Sequence, residues 1–370
     1  TALQYVRISK FKQIDLIDAE PIIENASISY ITEGTTISAS SPRFYNIDYS
    51  NSFDSFKITS LSDVIIKDSR FHDNYFTFTI DGTFTQAKFE NTLIDNNRGN
   101  TIFDVKGYAL NNVNIEFSGC TIVGNIVRQS LILSAIQNTS GITFVNSIVR
   151  DNRHFSCASS DASNGYNGCT ANVWYEDDPT FELLDNALFT YNYHGDDGGS
   201  WNSGSIYLIN SNIEDLQGES DYINIGEGCD ASECVDAEAG GTETYSGNCC
   251  PWGSYCGNYN CASNDYEEYW GSQGYGDGTQ YDGPPGWFVS SMPNIDLIVQ
   301  DCFDHAPGFI DPVNRDYRLK SDSPNLNAGT NYYHKNGEVV LQLSQSDYFG
   351  PEPDLGAFQA NYDYVCQEET

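Results

Sequence analysis

Ile66-Lys-Asp-Ser-Arg-Phe71-His-Asp-Asn74 and its near copy Phe89-Glu-Asn-Thr-Leu-Ile94-Asp-Asn-Asn97 decide how this chain folds. Two more copies follow: Phe117-Ser-Gly-Cys-Thr-Ile122-Val-Gly-Asn125 and Phe144-Val-Asn-Ser-Ile-Val149-Arg-Asp-Asn152. Each opens on a large apolar residue, has a small or polar pair third and fourth, an apolar residue sixth and Asn ninth. The copies start at 66, 89, 117 and 144, intervals of 23, 28 and 27 residues. Looser versions stand at Leu183-Leu-Asp-Asn-Ala-Leu188, Leu208-Ile-Asn-Ser-Asn-Ile213 and Ile298-Val-Gln-Asp-Cys-Phe303. A period in the twenties, made of short β runs between Asn/Ser/Gly turns, specifies a coiled strand solenoid.

The phrase contains its own geometry. Alternate side chains of a strand point to opposite faces, so the first apolar residue enters the coil. The Asn-Ser or Asp-Ser pair then turns a corner, because Asn and Asp tolerate left-handed backbone. The sixth residue re-enters the core on the next strand. Copies stacked at about 4.8 Å align like residues into ladders, so Asn74, Asn97, Asn125 and Asn152 are expected to bond amide to amide up the stack. These asparagines read as structure rather than chemistry. Helix signals are nearly absent, since no long stretch keeps a 3.6-residue apolar period.

Composition bounds the function. Lys and Arg number 17 against 52 Asp and Glu, a formal charge of −35, which excludes phosphate-neutralising nucleic-acid binding. An anionic membrane surface is an equally poor partner. No apolar run is long enough to span a bilayer. With 20 Phe and 25 Tyr the chain is too aromatic for a disordered acidic tail. Eleven cysteines, six of them between 229 and 261, point to disulfides and an oxidising, extracellular setting. The chain starts at Thr1 with a single Met and no basic-apolar leader, which reads as a mature secretory product or a fragment. Sequons at Asn25 and Asn138 suit a glycoprotein of that kind.

The repeats resemble the rungs of right-handed parallel β-helix proteins, the group that includes pectate-lyase-like folds and many bacterial surface proteins. The C-terminal stretch is more specific: Phe309-Ile-Asp-Pro-Val-Asn-Arg-Asp-Tyr-Arg-Leu319, Ser323-Pro324, Asn327-Ala-Gly329 and Pro353-Asp-Leu-Gly-Ala-Phe358. It resembles the closing element of secreted β-helix proteins of the "choice-of-anchor" kind; the match as a whole covers roughly 60–360, with residues 216–292 standing outside it. That resemblance implies an all-β, right-handed parallel β-helix and a surface or adhesive role. No sorting signal is recognised after Phe358, so the means of attachment is left open.

Four regions follow: 1–22 as an N-terminal cap or a donated strand, 23–215 as rungs, 216–292 as a Cys-rich insertion, and 293–370 as last rungs and closing element. Cys157 and Cys169 bracket a Ser/Asn/Gly loop and are expected to form a local disulfide. Cys229, Cys234, Cys249, Cys250, Cys256 and Cys261 have the adjacent-pair layout of bridged mini-domains, with 15 possible pairings. Cys302 and Cys366 are expected to tie the tail to the last rung, leaving Cys120 as a buried inert thiol. Cys249-Cys-Pro-Trp-Gly-Ser-Tyr-Cys256-Gly resembles a fragment of hevein-like chitin-binding modules, which makes Trp252, Tyr255 and Tyr259 candidate sugar-stacking residues; alternatively they pack the bridged loop.

Candidate chemistry is sparse. Asp73, Asp95 and Asp151, with Arg150 and Arg153 nearby, are the available parts for a polysaccharide lyase or hydrolase, which would need converging carboxylates and a cation. Asp196, Asp197, Asp277 and Asp282 lie in Gly-rich acidic turns of the kind that hold structural calcium. The favoured reading has no catalytic residue: a secreted structural or adhesive protein, self-associating into a filament or engaging a cell-surface or glycan partner. The lyase or hydrolase and the glycan-binding module are its alternatives.

Overall fold

A computed structural model describes residues 2–107, 112–136, 140–157, 181–185, 189–191, 205–214, 296–335 and 337–362. The chain is all-β, a parallel β-helix in which three columns of strands stack along one axis. The first column runs from Ala2–Gln4 through the first halves of Ile22–Ser29 and Arg43–Ser50. It continues through Asp63–Lys67, Thr85–Glu90, Val113–Ser118, Gly141–Val145, Ser205–Ile209 and Asp296–Gln300. The second joins Arg7–Ser9, the second halves of those two long strands, Arg70–His72, Leu93–Asp95, Thr121–Val123, Ile148–Arg150 and Asn212–Ile213. The third joins Ile14–Ile17, Thr35–Ser38, Phe53–Thr59, Tyr75–Asp81, Arg98–Gly107 and Ile126–Ile136. The segment expected to cap the coil or be donated thus forms its first turn.

The repeated phrase sets the register. Phe44, Ile66, Phe89, Phe117, Phe144 and Leu208 lie directly over one another in the first column, all buried. Tyr49, Phe71, Ile94, Ile122 and Val149, the sixth-place residues, do the same in the second. Aromatic rings stack within the ladder: Phe89 on Phe117 at 5.2 Å and Phe117 on Phe144 at 4.5 Å between centroids. Such pairs contribute about 0.5–1.5 kcal/mol each beyond burial.

Corners follow the expected chemistry. The third-place residues Asn46, Asp68, Asn91, Asn146 and Asn210 all have positive φ, between 42° and 52°. Gly119 takes this place in its turn at φ 60°, a conformation in which glycine carries no Cβ penalty. At the fourth place, Ser69, Thr92, Ser147 and Ser211 donate to the carbonyl two residues back, at 2.7–3.0 Å. The Cys120 thiol occupies the same place and reaches Ser118 O at 3.7 Å.

The ninth-place asparagines form the buried ladder. Asn74 Nδ2 donates to Asn97 Oδ1 at 2.9 Å, Asn97 to Asn125 at 3.0 Å, and Asn125 to Asn152 at 2.8 Å. The same Oδ1 atoms accept backbone N–H groups of the turn below, for example Asn74 N to Asn97 Oδ1 at 3.1 Å. Each amide therefore satisfies buried main-chain groups at a corner that cannot pair as sheet.

Two of the looser copies behave differently. Leu183 lies in Phe181–Asp185, which runs antiparallel to Arg153–Cys157 as a hairpin on the third column. The Ile298 copy is displaced by one residue, because Leu208 aligns with Val299 and leaves Ile298 beside Tyr207. A continuous apolar run such as Leu297-Ile-Val299 lacks the alternation that fixes register, and the turn residues Asp301 and Cys302 resolve it.

The C-terminal residues 303–362 fold back along the outside of the coil as a strap. Phe309–Asp311 and Asp316–Leu319 form a hairpin around the 3-10 turn Pro312–Asn314, where Asp311 accepts the Asn314 N–H. Phe309, Tyr317, Leu319 and Leu355 cover Leu93, Val123 and Ile148, which face outward from the second column. A second hairpin, Tyr332–Lys335 with Glu338–Gln342, covers Val145 and Ile209 of the first column with Val340 and Leu341. Asn146 pins both ends: its amide donates to Thr330 O and accepts from Thr330 N, and its carbonyl accepts Gly356 N.

Candidate functional site

The three carboxylates singled out in the sequence lie along one edge of the second column, each beside an arginine. Asp95 is fully buried and accepts both Nε and Nη2 of Arg70, at 2.8 and 2.7 Å. Arg70 projects from two places earlier in the turn below, so the pair crosses one rung diagonally. Its bidentate geometry is the strongest available to a carboxylate.

Asp73 sits in the left-handed eighth place, φ 54°, where the next turns carry Asn96 and Gly124. It accepts His72 Nδ1 at 2.6 Å, Arg315 Nη1 at 2.7 Å and Asn96 Nδ2 at 2.5 Å. Burial opposes its ionisation, but these donors outweigh burial and hold its carboxyl well below the usual range. His72 also touches Asp48, Nε2 to Oδ1 at 3.2 Å. Burial alone would lower the imidazole pKa; the two carboxylates prevail and raise it. Arg315 comes from the strap, so this edge of the coil is closed by an ion pair from a distant part of the chain. Tyr317 packs beside it, its phenol pushed up to about 12 by burial and by the charge of Asp95.

Asp151 and the two arginines form a third group. Arg153 reaches Glu214 at 3.2 Å and Asp151 at 3.4 Å. The Asp151 N–H donates to Glu214 at 2.6 Å, and Arg150 pairs with Asp304 of the strap. Sequence reading found the acids of this edge but missed Asp48, Arg70, His72 and Arg315. Arg315 carried a signal, since it precedes the Asp-Tyr-Arg-Leu run that lies against the coil. Among the described residues, the carboxylates of this edge lie against Arg70, His72, Arg150, Arg153 and Arg315, and the strap supplies two of the partners, Arg315 and Asp304. Among the described residues no group of three or more His, Cys, Asp or Glu side chains is placed to hold a metal.

Other candidates fall as follows. Asn25 is exposed at a left-handed corner, φ 52°, and its Oδ1 accepts Asn46 Nδ2 at 2.7 Å. Cys120 is buried, which pushes its thiol up to about 12. Cys302 lies in the fourth place of the last rung, its thiol directed at Gln300 O. Cys157 ends its strand opposite Phe181. Asn138, Cys169, the six cysteines from Cys229 to Cys261, Cys366, Asp196, Asp197, Asp277, Asp282, Trp252, Tyr255 and Tyr259 lie outside the described residues. No helix of the described residues is long and apolar enough to cross a membrane. No protein-family model, curated protein or solved structure matches this chain.

Proposed function

We propose that the protein is an extracellular, non-enzymatic structural or adhesive subunit that associates end to end through its first turn. The observation that carries this reading is the edge formed by Ala2–Gln4, Arg7–Ser9 and Ile14–Ile17. Among the described residues no strand pairs with the outer side of these three. The same turn exposes Tyr5 at 83%, Phe11 at 56% and Ile17 at 61%. An unpaired parallel edge flanked by apolar side chains is a template for another strand layer. The occupant we favour is a second copy of this chain, whose rungs have the same spacing.

Secretion is supported by the cysteine density and the sequons, and a surface role by the likeness of the closing element to "choice-of-anchor" proteins. The lyase or hydrolase reading loses ground because Asp73, Asp95 and Asp151 are already engaged. The hevein-like fragment and structural calcium rest on residues outside the described ones and are subordinate here. Sedimentation velocity of the full chain at physiological salt tests the assembly. The wild type is expected to polymerise, and Phe11→Glu with Ile17→Glu to remain monomeric. A wild type that stays monomeric with and without calcium, or a variant that assembles equally well, overturns the reading.

A further inference from the structure

The hairpin Tyr332–Lys335/Glu338–Gln342 lays a lysine against the sheet. Lys335 lies half-buried over the outer face of the first column, its Nζ 4.2 Å from the Tyr207 ring centroid and 3.4 Å from Thr143 Oγ1. Beneath it is Gly141, directly beside Asn114 in the register of the sheet. A Cβ at Gly141 would lie 2.8 Å from Lys335 Nζ and 3.4 Å from Asn114 Oδ1. The missing side chain thus opens one gap that the amine and the amide share. Asn114 is held from the other side, its Nδ2 donating to Asn112 Oδ1 at 2.6 Å. Two residues along the same strand and on the same face stands Glu116, whose Oε1 is buried and lies 2.9 Å from Lys88 Nζ.

We propose that Lys335 and Asn114 join in an intramolecular isopeptide bond that fastens the strap to the coil. The amine of Lys335 attacks Cγ of Asn114; the Nζ–Cγ bond forms, the Cγ–Nδ2 bond breaks, and Nδ2 leaves as ammonia. Glu116 accepts the proton released by Nζ and returns it to the departing nitrogen, ending in its starting state. No oxidant, reductant or other co-reactant is consumed. The surroundings favour the step. Burial lowers the Lys335 pKa despite the negative charges of Glu116 and Glu338, which increases the neutral, nucleophilic form. Burial likewise raises the Glu116 pKa against the opposing charges of Lys88 and Lys335, bringing it toward the range of a proton shuttle. Lys88 is itself engaged by Glu90, Glu116 and Val340 O, whereas Lys335 has no carboxylate within ion-pair distance among the described residues.

Peptide mapping of the purified full chain, denatured, reduced and deglycosylated, tests the bond. The expected product is a tryptic peptide containing Asn114 joined to one that reads through Lys335, lighter than their sum by one ammonia. Lys335→Arg, Asn114→Ala and Glu116→Gln are each expected to abolish the joined species, with far-ultraviolet circular dichroism showing that the coil is retained. Because the wild-type map needs no variant, a folding defect in one of them leaves the test intact. Trypsin cleaving fully after Lys335 in folded wild-type material overturns the proposal. So does a joined species lighter by one water, which would place the bond on a carboxylate such as Glu116.

Discussion

Single residues in this coil are read through the ladder they belong to. Asn97 receives from Asn74, gives to Asn125 and donates to Phe71 O at 2.9 Å, all in a buried corner. Asn97→Ala leaves those main-chain groups unsatisfied and is expected to cost about 1–3 kcal/mol in chemical denaturation; a loss below about 0.5 kcal/mol would remove the ladder from the account. Cys120 makes the opposite case. It stands where neighbouring turns have Thr92 and Ser147, so Cys120→Ser is expected to change stability by less than about 1 kcal/mol. Its thiol should stay unlabelled by a thiol reagent until the protein unfolds, and rapid native labelling would contradict that. His72 and Asp73 link the edge to pH. The raised His72 pKa contributes stability below the ordinary imidazole value, lost as pH rises through the raised one. The lowered Asp73 pKa contributes above the ordinary carboxylate value, lost as pH falls through the lowered one. Both contributions are therefore fully present between about pH 4 and pH 6.5. A His72 titration by NMR with its midpoint at or below 6.5 would refute this ion-paired arrangement.

At the scale of elements, the strap decides how the outer face behaves. Leu355 is completely buried against Leu93, Val123 and Ile148, and Leu355→Ala is expected to cost about 2–5 kcal/mol. Arg315→Ala removes the strap's donor to Asp73 and should make the strap the first segment cut in limited proteolysis; unchanged cleavage kinetics would show that the ion pair contributes nothing to docking. The sequence made the rungs legible because strand period, corner residues and ladder asparagines all recur within one short phrase. It also pointed to Asn74, Asn97, Asn125 and Asn152 as structure and to Cys120 as a buried thiol. The strap was recognisable only as a closing element. Its docking depends on Leu93, Val123 and Ile148, apolar residues at outward places that would otherwise meet water. That conflict between alternation and apolarity was the available signal. The ion pairs were less legible still, because Arg70–Asp95 and Arg315–Asp73 join residues 25 and 242 positions apart, distances over which sequence carries no local pattern.

For the whole molecule, the formal charge is −35, and among the described residues many of the 17 cations sit against carboxylates at corners and under the strap. Self-association of such a body needs salt screening or a contact kept free of acid, and the first turn supplies apolar side chains for the latter. Each turn contacts mainly its neighbours, as in other solenoids, so a second copy added at the edge would extend the same stack. Electron cryomicroscopy of the purified chain at physiological salt addresses this most directly. The account predicts particles in which the strand spacing of the coil, about 4.8 Å, continues unbroken from one subunit into the first turn of the next. Isolated monomers, or polymers joined side to side with the first turn left free, would contradict it.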